Sequence, residues 1–246
     1  MKLTILGCSG SYPGPGAACS GYLVRGGGVV VWVDAGTGTL ANLQRHADLD
    51  EVDAVVLSHA HPDHWTDLLS FQVYVSHIRP RMGVPVYSPA EVRRLAGEIH
   101  GEPGPHLDWQ VVADGSTARV GELSFAFSRT DHPVETLAMR IDDADGTSLG
   151  YSADTGPGWS LTALGPDLDL ALCEATLAPE RAGAVQHLTA AQAGESARSA
   201  GAQRLVLTHF EPGVDPLASQ SHAGSAFGAP VEVASVGASF DVTATR

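Results

Sequence analysis

The chain has 246 residues, enough to bury a sizeable core, and residues 1–246 read as a single domain. Hydrophobic residues make up 43%, as in ordinary globular proteins, and no apolar run is long enough to cross a bilayer. Lys and Arg total 14 against 28 Asp and Glu, a net charge of −14, which argues against a long nucleic acid as partner because polyanions are held through many cationic contacts.

Taken in chain order, Lys2–Leu6 is apolar and stops at Gly7. It predicts a first strand, its apolar part being too short for an export signal. The loop Gly7-Cys8-Ser9-Gly10-Ser11-Tyr12-Pro13-Gly14-Pro15-Gly16 follows, without the Lys-Ser/Thr ending of a phosphate loop. Tyr22–Arg25 and Val29–Val33 flank three glycines and predict a hairpin that ends at Asp34-Ala35-Gly36. Thr37–His46 predicts a helix, Val52–Leu57 a buried strand, and Trp65–Ile78 a helix stopping before Pro80. Val84–Tyr87 predicts a strand, and Ser88 the cap of a helix over Glu91–Ile99 with Pro89 in its first turn. Gln110–Val112, Leu123–Ser128, Leu137–Ile141, Leu149–Ser152 and Leu168–Cys173 predict strands. Thr189–Ala200 is an Ala-rich helix capped by Thr189 and stopped by Gly201. Leu205–Thr208, Val231–Val236 and Ser239–Val242 complete the strands, while Gly101–Leu107 and Gly213–Gly228 read as surface loops. Cys8, Cys19 and Cys173 are scattered and odd in number, which fits reduced thiols in a cytoplasmic protein better than a disulfide framework.

The segment with the clearest chemistry is His59-Ala60-His61-Pro62-Asp63-His64, directly after the apolar run Val52–Leu57. Imidazole is the commonest metal ligand, and zinc accepts His nitrogen together with carboxylate oxygen. Nothing about forming a loop requires so many imidazoles. Other apolar runs also finish in ligand-type residues: Asp154, Glu174 and His209, with His132 just beyond Leu123–Thr130. Layered α/β folds gather their sites where strands finish. His46, His77, His100, His106 and His222 match no such pattern, and Trp65 reads as core or pocket wall.

These segments resemble the metallo-β-lactamase-fold hydrolases, in particular their ribonuclease Z-like and cyclic nucleotide phosphodiesterase-like branch. The matching pieces are the His59–His64 motif, Asp131-His132-Pro133, Tyr151-Ser152-Ala153-Asp154-Thr155, Cys173-Glu174-Ala175-Thr176, His187-Leu188-Thr189 and Leu207-Thr208-His209-Phe210. Leu6–Ser11 and Leu43–Asp48 strengthen the likeness, which runs over essentially the whole chain. The resemblance implies a four-layer αββα sandwich of the α/β (α+β) class. It also implies a dinuclear centre, with His59, His61 and His132 holding one metal ion, Asp63, His64 and His209 the other, and Asp154 between them. Two such ions roughly 3.5–4 Å apart clamp the attacking and leaving oxygens of an in-line displacement. Zinc is the expected metal, although the ligand types also suit manganese or iron. By the same resemblance Asp63 orients or deprotonates the nucleophile, Glu174 and His187 form the pair that protonates the leaving alkoxide, and the glycine-rich loop lines the mouth of the site.

The reaction expected is hydrolysis of small phosphodiesters such as cyclic nucleotides. Transfer-RNA processing enzymes of this branch carry a long arm between the residues matching His132 and Asp154, and those two are too close here to enclose one. A ribonuclease Z-like RNA endonuclease, a glyoxalase II-type thioester hydrolase and an iron-dependent redox protein of the same fold are the alternatives. The sequence calls for no membrane and is compatible with a homodimer.

Overall fold

The computed structural model describes residues 1–101 and 104–244. Its frame is a pair of seven-stranded mixed sheets. The first contains β1 (Lys2–Gly7), β2 (Gly21–Gly26), β3 (Val29–Ala35), β4 (Ala54–Val56), β5 (Val84–Ser88), β6 (Leu107–Val111) and β14 (Ser239–Asp241), in the order β14-β1-β2-β3-β4-β5-β6. The second contains β7 (Thr117–Val120), β8 (Leu123–Arg129), β9 (Leu137–Asp142), β10 (Ser148–Tyr151), β11 (Leu170–Glu174), β12 (Leu205–Thr208) and β13 (Glu232–Val233), in the order β13-β12-β11-β10-β9-β8-β7. Each sheet joins an antiparallel half to a parallel half.

Side-chain alternation along the strands creates the layers. In β3, Val31 and Val33 point between the sheets, while Val30 and Trp32 point outward. In β11, Leu170 and Leu172 point inward, and Ala171 and Cys173 outward. The inner faces meet in one core of Leu3, Ile5, Tyr22, Phe125, Met139 and Val206. Outside the first sheet pack α1 (Thr39–Leu43), α3 (Asp67–Val73) and α4 (Ala90–His100), through residues such as Leu43, Phe71 and Val92. Outside the second pack α5 (Ala190–Ser199) and α6 (Pro216–Phe227). The expected αββα sandwich is therefore the fold observed.

Several expectations about elements need correction. The stretch Gly213–Gly228, expected as a loop, contains α6. Asp215 caps it by accepting from the Leu217 amide, Pro216 opens it, and Gly228 closes it in the left-handed region with φ 88°. Its buried residues Ser219, Ala223 and Phe227 follow helical spacing, but small and polar residues obscure that stripe in the sequence. The helix expected over Thr37–His46 shrinks to α1, and that over Trp65–Ile78 divides into the end of α2 (Pro62–Trp65), then α3 and a π-helical turn at Tyr74–Ile78. Ser88 does not cap α4; Pro89 holds the cap position, and Ser88 Oγ donates to its carbonyl. Strand β6 spans Leu107–Val111 rather than Gln110–Val112, β7 was not foreseen, and Val231–Val236 reduces to β13. In the expected loop Gly101–Leu107, Glu102 and Pro103 lie outside the described residues and Leu107 begins β6.

Candidate metal centre

One end of the sandwich collects the strand ends. From the end of β4 the chain passes through Leu57 and Ser58 to His59, and Pro62 then opens α2, with His61 at its cap position in extended geometry. Pro in the first helical turn is preorganised for this change of direction. The turn separates the motif into His59 and His61 on one side and Asp63 and His64 on the other. From the second sheet, the segments after β8, β10 and β12 contribute His132, Asp154 and His209. Gly36 makes the packing feasible, since a Cβ there would lie 1.9 Å from the Asp63 carbonyl oxygen.

Two groups of donors converge. His59, His61, His132 and Asp154 bring ligand atoms within 4.8 Å of one another, as do Asp63, His64 and His209. His61 Nδ1 lies 3.1 Å from both His59 Nε2 and His132 Nε2. In the second group His64 Nε2 and His209 Nε2 are 3.1 Å apart, and His209 Nε2 is 3.3 Å from Asp63 Oδ2. Asp154 lies between the groups: Oδ2 is 3.6 Å from His59 Nε2, and Oδ1 is 3.3 Å from both His64 Nε2 and His209 Nε2. Ligands about 2.0–2.1 Å from a tetrahedral zinc ion would stand about 3.3–3.4 Å apart, so this spacing suits a metal ion.

The hydrogen bonds behind the rings fix which nitrogens point inward. Ser58 Oγ donates to Asp34 Oδ2 at 2.8 Å and so accepts from His59 Nδ1 at 3.0 Å. His64 Nδ1 donates to Asp34 Oδ2 at 2.8 Å, and His132 Nδ1 to the Gln186 carbonyl at 3.1 Å. Thr176 Oγ1 donates to Glu174 Oε2 at 2.6 Å and accepts from His209 Nδ1 at 2.8 Å. In these four rings Nδ1–H is spent outward, which leaves Nε2 to the centre, the arrangement that orients His ligands at metal sites, whereas His61 turns its Nδ1 inward. Asp154 Oδ1 is buried without a hydrogen-bond partner among the described residues. A buried carboxylate oxygen facing imidazole lone pairs needs a cation. The donor set therefore fits divalent metal ions.

The titration of these groups agrees. Burial holds His59, His61 and His132 below the usual imidazole range, so they are neutral and able to ligate. Burial also works against a charged His64, but Asp154, Asp63 and Asp34 outweigh it and raise its affinity for a proton. Burial would raise the Asp63 and Asp154 carboxyls, yet His64 and His209 hold both below the usual range. A metal ion must displace the proton from His64, so uptake should weaken as pH falls.

Asp34 is the residue that sequence reading missed. The sequence marks it only as the end of a strand. Its side chain accepts from Ser58 N at 2.7 Å, Ser58 Oγ, His64 Nδ1 and, across the sandwich, Tyr151 OH at 2.7 Å. The available signal was a carboxylate at a strand end. Backbone strain marks the same region: of the five non-glycine residues with positive φ among those described, Ser11, Asp34, Ala153 and His209 lie in or next to it.

Beside the cluster lies a cavity of about 350 Å³, lined by Ser11, His61, His132, Pro133, Thr176 and His187 among others. The glycine-rich loop reaches its mouth, as expected, with Ser11 N donating to Asp63 Oδ2 at 2.8 Å. Glu174 is fully buried and accepts from Thr155 N, Thr176 N, Thr176 Oγ1, Leu188 N and His187 Nδ1, the last at 2.9 Å. Burial lowers the proton affinity of His187, but the hydrogen bond and charge of Glu174 prevail and raise its pKa to about 9. A larger cleft of about 600 Å³ between α6 and residues 228–231 has no Asp, Glu, His or Cys in its lining and lies apart from this chemistry. Trp65 is buried and supports the motif by donating to the Ala60 carbonyl. His46, His77, His100, His106 and His222 take no part in the metal-ligating groups. The thiols are free; burial raises Cys8 to about 11 and Cys19 and Cys173 to about 12.

A family profile described as a β-lactamase superfamily domain matches residues 30–210, which include every residue of the cluster. The chain belongs to the β-lactamase superfamily. It falls among the metallo-hydrolases of this fold. An uncharacterized protein of Mycobacterium tuberculosis is 35% identical over 257 residues, covering 98% of this chain and 92% of that protein. The probable metallo-hydrolase YhfI of Bacillus subtilis is 31% identical over 217 residues, covering 85% and 87%. Its crystal structure superposes with a TM-score of 0.89 at 27% identity, covering 97% of this chain and 98% of that one. The ribonuclease Z of Myxococcus xanthus is 27% identical over 292 residues, covering 95% of each chain.

Proposed function

We propose that this metallo-hydrolase, acting as one folded unit, is a dinuclear phosphodiesterase for small phosphodiesters such as cyclic nucleotides. The observation that carries the reading is the pair of donor groups meeting at Asp154, with the Glu174–His187 pair beside them on one cavity. His59, His61 and His132 would hold one divalent ion and Asp63, His64 and His209 the other, with Asp154 lying between the two groups. Zinc is the favoured metal, with manganese or iron compatible. The ions supply charge stabilisation and an activated nucleophile when bound. Asp63, held by the Ser11 amide, orients the attacking water. His187 carries the proton toward the leaving alkoxide, and Glu174 orients its ring and keeps it charged at neutral pH.

The processing-nuclease alternative is favoured by the ribonuclease Z proteins among the relatives. Against it stand the −14 charge and the short segment from His132 to Asp154, which β9 and β10 occupy without an arm. Cyclic mononucleotides, bis(nitrophenyl) phosphate, a thioester and a precursor transfer RNA should be compared at one metal and salt concentration. Turnover of the small diesters is expected. Position-specific cleavage of the RNA without diester turnover would refute the proposal. Metal analysis of purified protein should give about two zinc or manganese ions per chain; a single iron would point to redox chemistry instead.

A further inference from the structure

The cavity has a rim that the proposed chemistry does not use. Among its described lining residues Arg181 is the sole guanidinium and Glu211 the sole carboxylate, and the two form an ion pair. They come from separate segments. Arg181 ends the 3₁₀ turn Pro179–Arg181 in the loop that leads to Gln186 and His187, whereas Glu211 follows His209 and Phe210 after β12. Their side chains are 46% and 31% exposed, so both remain open to a ligand. Arg181 Nη1 donates to Glu211 Oε2, which leaves the other guanidinium N–H groups and the second carboxylate oxygen outside that bond. Pro133, Leu177 and Val185 line the same cavity and offer apolar surface.

Glu211 already neutralises Arg181 and would repel a second phosphate, so the rim is poorly suited to another anion. It suits a neutral, flat group that needs a donor next to an acceptor. We propose that Arg181 and Glu211 form a base-reading subsite selective for a 6-aminopurine. The N7 and 6-amino edge of adenine presents one acceptor beside one donor. N7 accepts from Arg181, the amine donates to Glu211, and the ion pair need not break. Guanine presents two acceptors on that edge, which sets its O6 against the carboxylate. Pyrimidines offer no N7 to Arg181. The inference rests on the proposed function only in directing the phosphate of the ligand to the metal cluster.

The test is calorimetric binding of adenosine 5′-monophosphate, its 7-deaza analogue and guanosine 5′-monophosphate to the metal-loaded full chain. The wild type should favour the adenine nucleotide over the guanine nucleotide by about 5–150-fold, the discrimination expected of a well-placed base contact. Glu211→Gln should shrink that ratio toward one, since an amide can turn its N–H₂ to O6. Arg181→Met should weaken binding of adenosine monophosphate but not of the 7-deaza analogue, which lacks the accepting nitrogen. A merely structural role for Arg181 would weaken both alike. Equal wild-type affinity for the two purines, or an unchanged ratio in folded Glu211→Gln, overturns the subsite. Wild-type turnover of bis(nitrophenyl) phosphate is measured alongside. Base selectivity without turnover would support the subsite and refute the phosphodiesterase reading.

Discussion

Replacing Asp34 by Asn tests whether the centre depends on a residue that ligates nothing. Its Oδ1 accepts from Ser58 N, and its Oδ2 from Ser58 Oγ, His64 Nδ1 and Tyr151 OH. An amide has one accepting oxygen and one donating nitrogen. If the nitrogen takes the Oδ1 position, it faces the Ser58 amide, donor against donor. If it takes the Oδ2 position, it faces His64, which can accept only by moving its proton to Nε2 and giving up the inward lone pair. Either orientation leaves a buried polar group unpaired at a cost of about 1–3 kcal/mol. In a chain of this size that is a fall of about 2–12 °C in the melting temperature of the metal-free protein. Metal affinity should fall about 10–100-fold, the usual cost of losing the carboxylate behind a His ligand. Calorimetric melting in chelator gives the first quantity and competition with a chromophoric chelator the second. Unchanged metal affinity, whatever the melting temperature does, would reduce Asp34 to a tie between the two sheets and refute the orienting role.

Asp154→Ala should lower both metal content and hydrolysis; full stoichiometry and turnover in that variant would contradict its place between the two groups. His187→Ala should keep the metals and slow alkoxide-releasing substrates by about 10²–10⁴-fold, with a smaller loss on nitrophenyl esters, whose leaving group needs little protonation. An equal loss on both would make His187 a positioning residue. Because Glu174 raises His187 to about 9, its acid form is present below that pH and lost above it. The wild type should lose activity on alkoxide-releasing substrates as pH rises through about 9, and His187→Ala should lack that limb in its pH profile. Gly36→Ala would set a methyl group against the Asp63 carbonyl, and overpacking of that kind costs about 1–3 kcal/mol; an unshifted melting curve would mean that the motif loop yields easily.

The sequence was most legible where one residue type repeats or one periodicity rules. The apolar runs of β1, β3, β11 and β12 located strands because they are buried on both faces. The His59–His64 motif announced its chemistry because imidazoles are expensive to gather without a purpose. α6 escaped notice because its buried stripe is Ser219, Ala223 and Phe227, where close helix packing needs small side chains and hydropathy says little. Gly194 of α5 shows how close that packing is, with a Cβ there meeting the Ala223 carbonyl at 2.5 Å. Asp34, Gln186, Arg181 and Glu211 were missed for another reason. Each meets a partner distant in sequence, and only the folded chain brings that partner near.

The same geometry explains why the centre sits at strand ends and why the backbone there is strained. Inside the strands His or Asp would face either the dry core between the sheets or the helices outside, without room for a shared ion. Ala153 and His209 enter the left-handed region just past the ends of β10 and β12, and Asp34 does so at the register shift where β3 makes its last pairing with β2. Such conformations cost of order 1–3 kcal/mol each. The hydrogen bonds of Asp34 and Glu174, each spanning several segments, hold these turns. The result is a cluster of inward lone pairs and carboxylates that is unfavourable by itself and stable once a cation enters. Metal binding should therefore raise the melting temperature, and because it draws on the orientation of His64, Asp34→Asn should diminish that gain as well as the melting temperature of the metal-free protein.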